Sequence, residues 1–133
     1  MRGVLILSTV ALLVAGDGTA AKPSLRDVEP VESGLLAISV ADKIRRECGA
    51  ISGRLFKAHV HLRALYDVAR SQGYSDAEIE AYVTAEAEKN RMRAKRDAYL
   101  ARQGVVKSDP ETYCAAGRVE IRNASRIGVL LRD

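Results

Sequence analysis

Two cysteines and two histidines are the side chains of this sequence with the most distinctive chemistry. Cys48 and Cys114 lie far apart in the chain, whereas redox catalysis usually relies on a Cys-x-x-Cys spacing. His59 and His61 are two residues apart, so on a helix their side chains point about 200° away from each other and cannot chelate one metal ion. A zinc site would need all four side chains to converge. We therefore expect no metal site and no cofactor.

Catalytic patterns are missing from the rest of the sequence. It contains no Ser-His-Asp order, no glycine-rich phosphate loop and no run of metal-ligating residues. A chain of 133 residues is also too short for a dinucleotide-binding fold or a large enzyme. His59 is expected to be a half-buried histidine bonded to a neighbour, with pH sensing as the alternative. We expect no catalytic residue and predict that the protein is not an enzyme.

A run of basic residues is the candidate binding surface. Residues 76–88 hold five acidic side chains and no basic one, and residues 89–102 hold six basic side chains and one acidic one. This polarity suits the dipole of a solvated helix, which is the simpler interpretation. The functional alternative is an electropositive patch for an acidic partner, a membrane surface or a polyanion. The residues of this basic run are Lys89, Arg91, Arg93, Lys95 and Arg96.

The beginning of the chain has the pattern of a secretory signal peptide. Arg2 is followed by an almost wholly apolar stretch over residues 4–15 and then by small residues. We predict a signal peptide over residues 1–21, cut after Ala20 or Ala21, and a periplasmic protein. The apolar stretch is too short to span a membrane as a helix, which needs about 20 residues. An exported chain with few aromatic residues is a poor candidate for nucleic-acid binding.

The predicted export also bears on the state of the two cysteines. Disulfides persist in oxidising compartments, so a pair of cysteines in an exported chain favours a structural disulfide. We expect Cys48 and Cys114 to be joined, which would connect the first predicted helix to the last.

Helical spacing dominates the remainder of the chain. No segment alternates apolar and polar residues over the length of a strand, so we expect no sheet. We predict a flexible lead-in over residues 22–34, which contains two prolines, and a helical domain over residues 35–133. The expected fold is all-α, a small irregular bundle of about four helices closed by one disulfide. The predicted helices span residues 35–47, 52–72 and 75–103, with the fourth beginning at residue 110.

Local signals support these helices. Ser33 is expected to cap the first helix, and Ser75 with Glu78 forms a capping box before the third. Asp109 and Pro110 are typical of the start of a helix. The second helix is expected to pack through a seam of Ile51, Leu55, Ala58, Leu62, Leu65 and Ala69. The third is expected to pack through a stripe of Ile79, Val83, Ala87, Asn90, Ala94, Ala98 and Ala101.

Three stretches of the sequence carry a resemblance to a known family. They are VADKIRREC at residues 40–48, PETYCAAGR at residues 110–118 and SRIGVLL at residues 125–131. With the signal peptide ahead of them, the chain resembles a family of small exported alphaproteobacterial proteins called domain of unknown function 5333, over most of residues 35–132. The resemblance implies a periplasmic location and paired cysteines, and it implies no activity or functional residue.

Binding is the function that these observations favour. We expect a non-enzymatic periplasmic protein that binds another protein or the cell envelope, because a charged and well-capped scaffold carries no catalytic pattern. A small-ligand or metal carrier and an acid-stress periplasmic chaperone are the alternatives. No transmembrane segment is expected after signal cleavage, and the oligomeric state is left open.

Overall fold

The computed structural model describes residues 21–133. The predicted signal peptide, up to residue 20, lies outside the described residues. Within the described part the chain forms α1 (Glu29–Glu47), α2 (Leu55–Ser71), α3 (Asp76–Thr84), α4 (Glu86–Arg102) and α5 (Pro110–Arg122). Two short 3-10 helices span Leu25–Asp27 and Gly128–Leu130. Two strands, β1 (Ser52–Gly53) and β2 (Leu131–Arg132), pair antiparallel.

The architecture is mostly helical, as predicted, with α1 at its centre. Helix α1 packs against α2, α4 and α5. The described residues form five α-helices rather than four, and a small two-stranded sheet is present where none was expected. Over residues 21–133, no helix combines the length and apolar character needed to cross a bilayer.

Helix α1 begins at Glu29 and not at Leu35, which corrects the prediction of a flexible lead-in over residues 22–34. Val28 is the N-cap residue and a proline lies in the first turn, where its missing N–H costs nothing. Ser33 therefore lies inside the helix and does not cap it. The predicted start of the helix was wrong because a proline is compatible with the first turn of a helix as well as with a loop, and Pro30 lies in that turn.

The chain before α1 is held by an apolar cluster. Leu25, Val28 and Val31 are buried together with Ala69 of α2 and Ile79 of α3. These partners lie far away in the sequence, so no local pattern near residue 25 indicates that the segment is packed.

The predicted third helix is divided in two at Ala85. The capping box of Ser75 and Glu78 is confirmed at the start of α3, but Ala85 leaves the helical conformation with φ −59° and ψ 126°. On an unbroken helix, Ile79 and Arg91 would point about 120° apart. The break allows Ile79 to reach the apolar cluster while Arg91 reaches α1.

The expected packing faces of two helices are only partly correct. In the predicted stripe of small residues Ile79 is buried, but the residues from Ala87 onward are exposed, and α4 buries Leu100 instead. In the α2 seam Leu65 and Ala69 are buried, whereas Leu55 is exposed. Helical periodicity marks a face of each helix, but it does not determine whether another element covers that face.

The end of the chain docks on the core. Leu130 and Leu131 are buried, and β2 pairs with β1 in the loop between α1 and α2. The backbone N–H of Arg54 donates to the carbonyl of Leu130 at 2.7 Å. Two-residue strands are too short to show any alternation in the sequence, which explains why the sheet was not predicted.

Candidate functional site

Cys48 and Cys114 are joined by a disulfide, which confirms the predicted pairing. Helix α1 ends at Cys48, and Cys114 lies near the start of α5, so the bond connects two helices within the core. The sequence separation is 66, for which the chain-entropy model gives about 4 kcal/mol of stabilisation. Residues 21–133 contain no free cysteine.

Arg91, in the middle of the basic run, is the centre of an ion-pair network between α4 and α1. Its guanidinium donates to both carboxylate oxygens of Glu32, at 2.6 and 2.9 Å. It also donates to Oε2 of Glu88 at 2.9 Å and to the hydroxyl of Tyr82 at 3.0 Å. The hydrogen bond from Arg91 lowers the pKa of Glu32, although partial burial opposes this shift. Arg91 therefore holds two helices together and is not a free cation.

The other members of the basic run are also paired with acids. Lys89 and Arg93 both bind Glu86, at 2.9 and 3.2 Å. Lys95 binds Glu32 at 2.5 Å, and Arg96 binds Asp97 at 2.8 Å. These pairs lie at or near the surface, where each contributes little to stability. The basic run is therefore part of a network of ion pairs and is not a uniformly positive patch.

A cleft of about 380 Å³ lies between α1 and the α3–α4 pair. Its wall on α1 consists of residues that recur every three or four positions, which places them on one face of that helix. The apolar side chains of the cleft are Leu35, Ile38, Val83 and Met92. The basic side chains are Arg46, Lys89, Arg91, Arg93 and Arg96, and the acidic ones are Asp42 and Glu88. The cleft thus combines apolar side chains with an excess of cations.

A second, smaller cavity of about 80 Å³ adjoins this cleft at Ile38 and Asp42. It lies between α1 and the first turn of α2, where Leu55 and Ala58 contribute to its lining, and it reaches the chain end at Leu131. The two depressions together form a furrow along the exposed side of α1. This furrow, lined along α1 by residues 35, 38 and 42, is named the α1 groove below.

The sequence pattern pointed to only part of the α1 groove. Four members of the basic run line it, but Lys95 does not. Arg46 of α1 lines the cleft opposite the basic run, and the sequence did not predict it. Lys43 and Arg45 lie close to it in the sequence, and no local pattern indicates which of these basic side chains faces the cleft. Among the apolar side chains, the sequence pattern marked Val83 alone, as part of a packing face. Leu35, Ile38 and Met92 come together with it only in the folded chain, across α1, α3 and α4.

Glu120 is a buried polar residue that the sequence analysis missed. Glu120 is 6% exposed, and its carboxylate accepts hydrogen bonds from the hydroxyls of Tyr99 and Ser125. Burial and the contact with Glu120 raise the pKa of Tyr99 to about 12. The Ser125 hydroxyl also accepts from the backbone N–H of Gly128 at 2.9 Å. This cluster fixes the chain end to α4 and α5. The position of Glu120 four residues after buried Ala116 was the available signal.

The histidines do not form a site. His59 is exposed, so the prediction of a half-buried residue was wrong. His61 is partly buried, and its Nε2 has no hydrogen-bond partner within residues 21–133. The same part of the chain brings together no three His, Cys, Asp or Glu side chains that could hold a metal ion.

Comparison with known proteins gives one finding. A family model described as "Family of unknown function (DUF5333)" matches residues 23–132 of this chain. No curated protein and no solved structure matches it.

Proposed function

We propose a function for this chain, which belongs to the DUF5333 family. It is a non-enzymatic periplasmic protein whose α1 groove binds an acidic segment of another protein. The observation that carries the proposal is the composition of the groove. Its larger cleft is lined by five basic and two acidic side chains around apolar residues of α1, α3 and α4. Such a lining matches a ligand that presents carboxylates beside apolar side chains.

The shape of the groove favours a protein segment. The furrow follows one face of α1, and an amphipathic helix binds such a surface by laying its apolar side along it.

The charged side chains that line the cleft would mainly help it to recognise its partner. Lys89 and Arg93 already share Glu86, at 2.9 and 3.2 Å, so an incoming carboxylate would exchange partners with that residue rather than meet a bare cation. Charges of this kind steer association and orient the partner more than they add affinity. The apolar side chains would then supply most of the binding free energy.

The disulfide supports the proposed location. A buried disulfide between two helices is typical of oxidising compartments such as the periplasm. Export would depend on the predicted signal peptide over residues 1–21.

The experiment places a photocrosslinking amino acid at Ser39, which lines the groove, and as a control at Ala115, which is exposed on α5. We expect irradiated cells to yield a covalent adduct at position 39 only, and mass spectrometry should map it to an acidic stretch of the partner. The double variant Arg46→Glu/Arg93→Glu should remove the adduct, and Arg122→Glu should leave it.

Three results would contradict the proposal. The first is an adduct at both positions, and the second is an adduct that persists in the Arg46→Glu/Arg93→Glu variant. The third is a native mass spectrum in which the purified wild type carries a small molecule and the Arg46→Glu/Arg93→Glu variant does not. The last result would favour a small-ligand carrier.

A further inference from the structure

The first two turns of α2 expose an apolar surface that is separate from the main cleft. Leu55 is 70% exposed, Phe56 80% and Val60 51%. Phe56 is the single phenylalanine of the chain, so the largest purely apolar side chain available is placed in solvent. A protein that exposes a cluster of large apolar side chains usually uses it for contact with another surface.

The same surface is cationic. The sequence contains no acidic residue between Glu47 and Asp67, whereas Arg54, Lys57 and Arg63 lie within that stretch. Arg54 uses its Nε to bind the carbonyl of Leu131 at 3.0 Å. Lys57 and Arg63 are exposed side chains without an ion-pair partner among residues 21–133. They differ in this respect from the basic run on α4, each member of which pairs with an acid.

The helix geometry places these two properties together. On a helix Phe56 and Arg63 point in nearly the same direction, with Val60 about 40° to one side and His59 about 60° to the other. Leu55 and Lys57 flank this direction on opposite sides, each about 100° from Phe56. Asp67 follows two turns later and is bound to Arg70 at 2.7 Å. The beginning of α2 has no acidic residue in its first turn and no side-chain cap, so the positive end of the helix dipole adds to the field.

We propose that this surface of α2, defined by Leu55, Phe56, Lys57, Val60 and Arg63, binds the surface of an anionic phospholipid membrane. The apolar side chains would enter the boundary between headgroups and acyl chains, while Lys57 and Arg63 would contact the anionic headgroups. This surface shares Leu55 with the smaller cavity of the α1 groove, but the inference does not rest on the partner proposed for that groove.

A membrane fits this surface better than a folded protein does. Binding energy between proteins is concentrated in side chains that fill pockets of the partner or receive its anchors. Phe56 and Val60 do not line the α1 groove or the other main depressions of residues 21–133, so this surface protrudes and offers no pocket for a partner's anchors. A lipid surface needs no matching pocket, because its headgroups rearrange around protruding side chains.

The test uses the protein in the form that cells accumulate. Because the sequence contains no tryptophan, Phe56→Trp creates a single fluorescent reporter on this surface. We expect its emission to shift to the blue with phosphatidylglycerol vesicles, and not with phosphatidylcholine vesicles at the same lipid concentration. The control reporter Val106→Trp replaces an apolar residue that is 53% exposed outside α2, and its emission should stay unchanged.

Sedimentation with phosphatidylglycerol vesicles then separates the two contributions. Leu55→Ser/Phe56→Ser and Lys57→Glu/Arg63→Glu should each weaken the partition coefficient by about tenfold or more. Val106→Ser and Arg122→Glu are the matched controls and should bind like the wild type. All these positions are exposed, and circular dichroism should show an unchanged helix content in every variant.

Several outcomes would overturn the inference. One is equal binding to both lipids, and another is an unshifted Phe56→Trp emission with phosphatidylglycerol. A third is vesicle binding that survives both double variants. A fourth is a wild-type dimer in light scattering that Leu55→Ser/Phe56→Ser converts to a monomer while vesicle binding persists. That last result would show that a second copy of this chain covers the surface.

Discussion

Single side chains in this protein gain their roles from partners that are distant in the sequence. Arg91 looks like one member of a basic run, but the structure pairs it with Glu32, Glu88 and Tyr82 at once. A planar guanidinium that donates to both oxygens of one carboxylate is geometrically specific, and lysine cannot reproduce it. A residue of the candidate binding patch is therefore engaged in the fold by three hydrogen-bond partners at once.

The Glu32–Arg91 pair predicts a pH dependence of stability. Because Arg91 lowers the pKa of Glu32 in the folded protein, this carboxylate stabilises the fold above its unfolded pKa of about 4.3. The contribution is lost as the pH falls through the lower, folded pKa. The free energy of unfolding, measured by urea denaturation, should fall between about pH 6 and about pH 3. We expect this fall to be smaller for Glu32→Gln than for the wild type.

A second glutamate on the same helix provides the control for Glu32. Glu29 is exposed, and its carboxylate pairs with Arg126 at 3.5 Å. At about pH 7, Glu32→Gln should cost about 1 to 3 kcal/mol, whereas Glu29→Gln should stay within about 0.5 kcal/mol of the wild type. Equal effects of the two substitutions would show that the Arg91 network does not stabilise the fold.

Helices approach one another closely where a side chain is missing. A Cβ atom on Gly117 of α5 would lie 2.6 Å from the Ile51 side chain and 2.8 Å from that of Ile44 on α1. Real Cβ atoms do not approach other atoms this closely, so the side chains of Ile44 and Ile51 must shift if a larger residue replaces Gly117. The disulfide between the same two helices requires the same close approach.

Gly117→Ala should therefore destabilise the protein, although alanine is the better helix former. We expect a loss of about 1 to 3 kcal/mol in the free energy of unfolding, measured by urea denaturation, because two buried isoleucines must move. Gly49→Ala is the matched control, since a Cβ atom there meets nothing within 4 Å. A Gly117→Ala variant as stable as the Gly49→Ala variant would mean that α1 and α5 adjust freely.

For the whole molecule, one covalent bond and one central helix organise the arrangement. The main core cluster surrounds the disulfide and gathers residues from α1, α4, α5 and the chain end. It contains only one aromatic side chain, Tyr113, and otherwise consists of aliphatic residues and the two cysteines. A core of small side chains buries less apolar area than one rich in leucine or aromatic residues. The disulfide therefore supplies a large share of a typical stability of 5 to 15 kcal/mol.

Removing the disulfide gives the largest predicted change. Cys48→Ala/Cys114→Ala should lower the free energy of unfolding by about 4 kcal/mol in urea denaturation, because the unfolded chain regains the freedom of the closed loop. Mass spectrometry of the oxidised wild type should show a chain that is two hydrogens lighter than the reduced form. The double variant should not respond to a reducing agent, and a stability equal to that of the wild type would contradict a structural role.

The sequence by itself determined the features that depend on neighbouring residues. The helical fold class, the capping box at Ser75, the start of α5 at Asp109 and Pro110, and the pairing of Cys48 with Cys114 all followed from local chemistry or from a count of two cysteines. A cap is satisfied within four residues, and two cysteines allow only one disulfide.

Only the tertiary structure decided what each face meets. The break at Ala85, the burial of Leu25, the exposure of Leu55 and the pairing of Arg91 with Glu32 all depend on helices that are far apart in the sequence. The α1 groove exists because α2 and the α3–α4 pair leave part of α1 uncovered. A sequence pattern specifies that a face is apolar or charged, whereas the packing angles between helices decide whether it becomes core, ion pair or open surface.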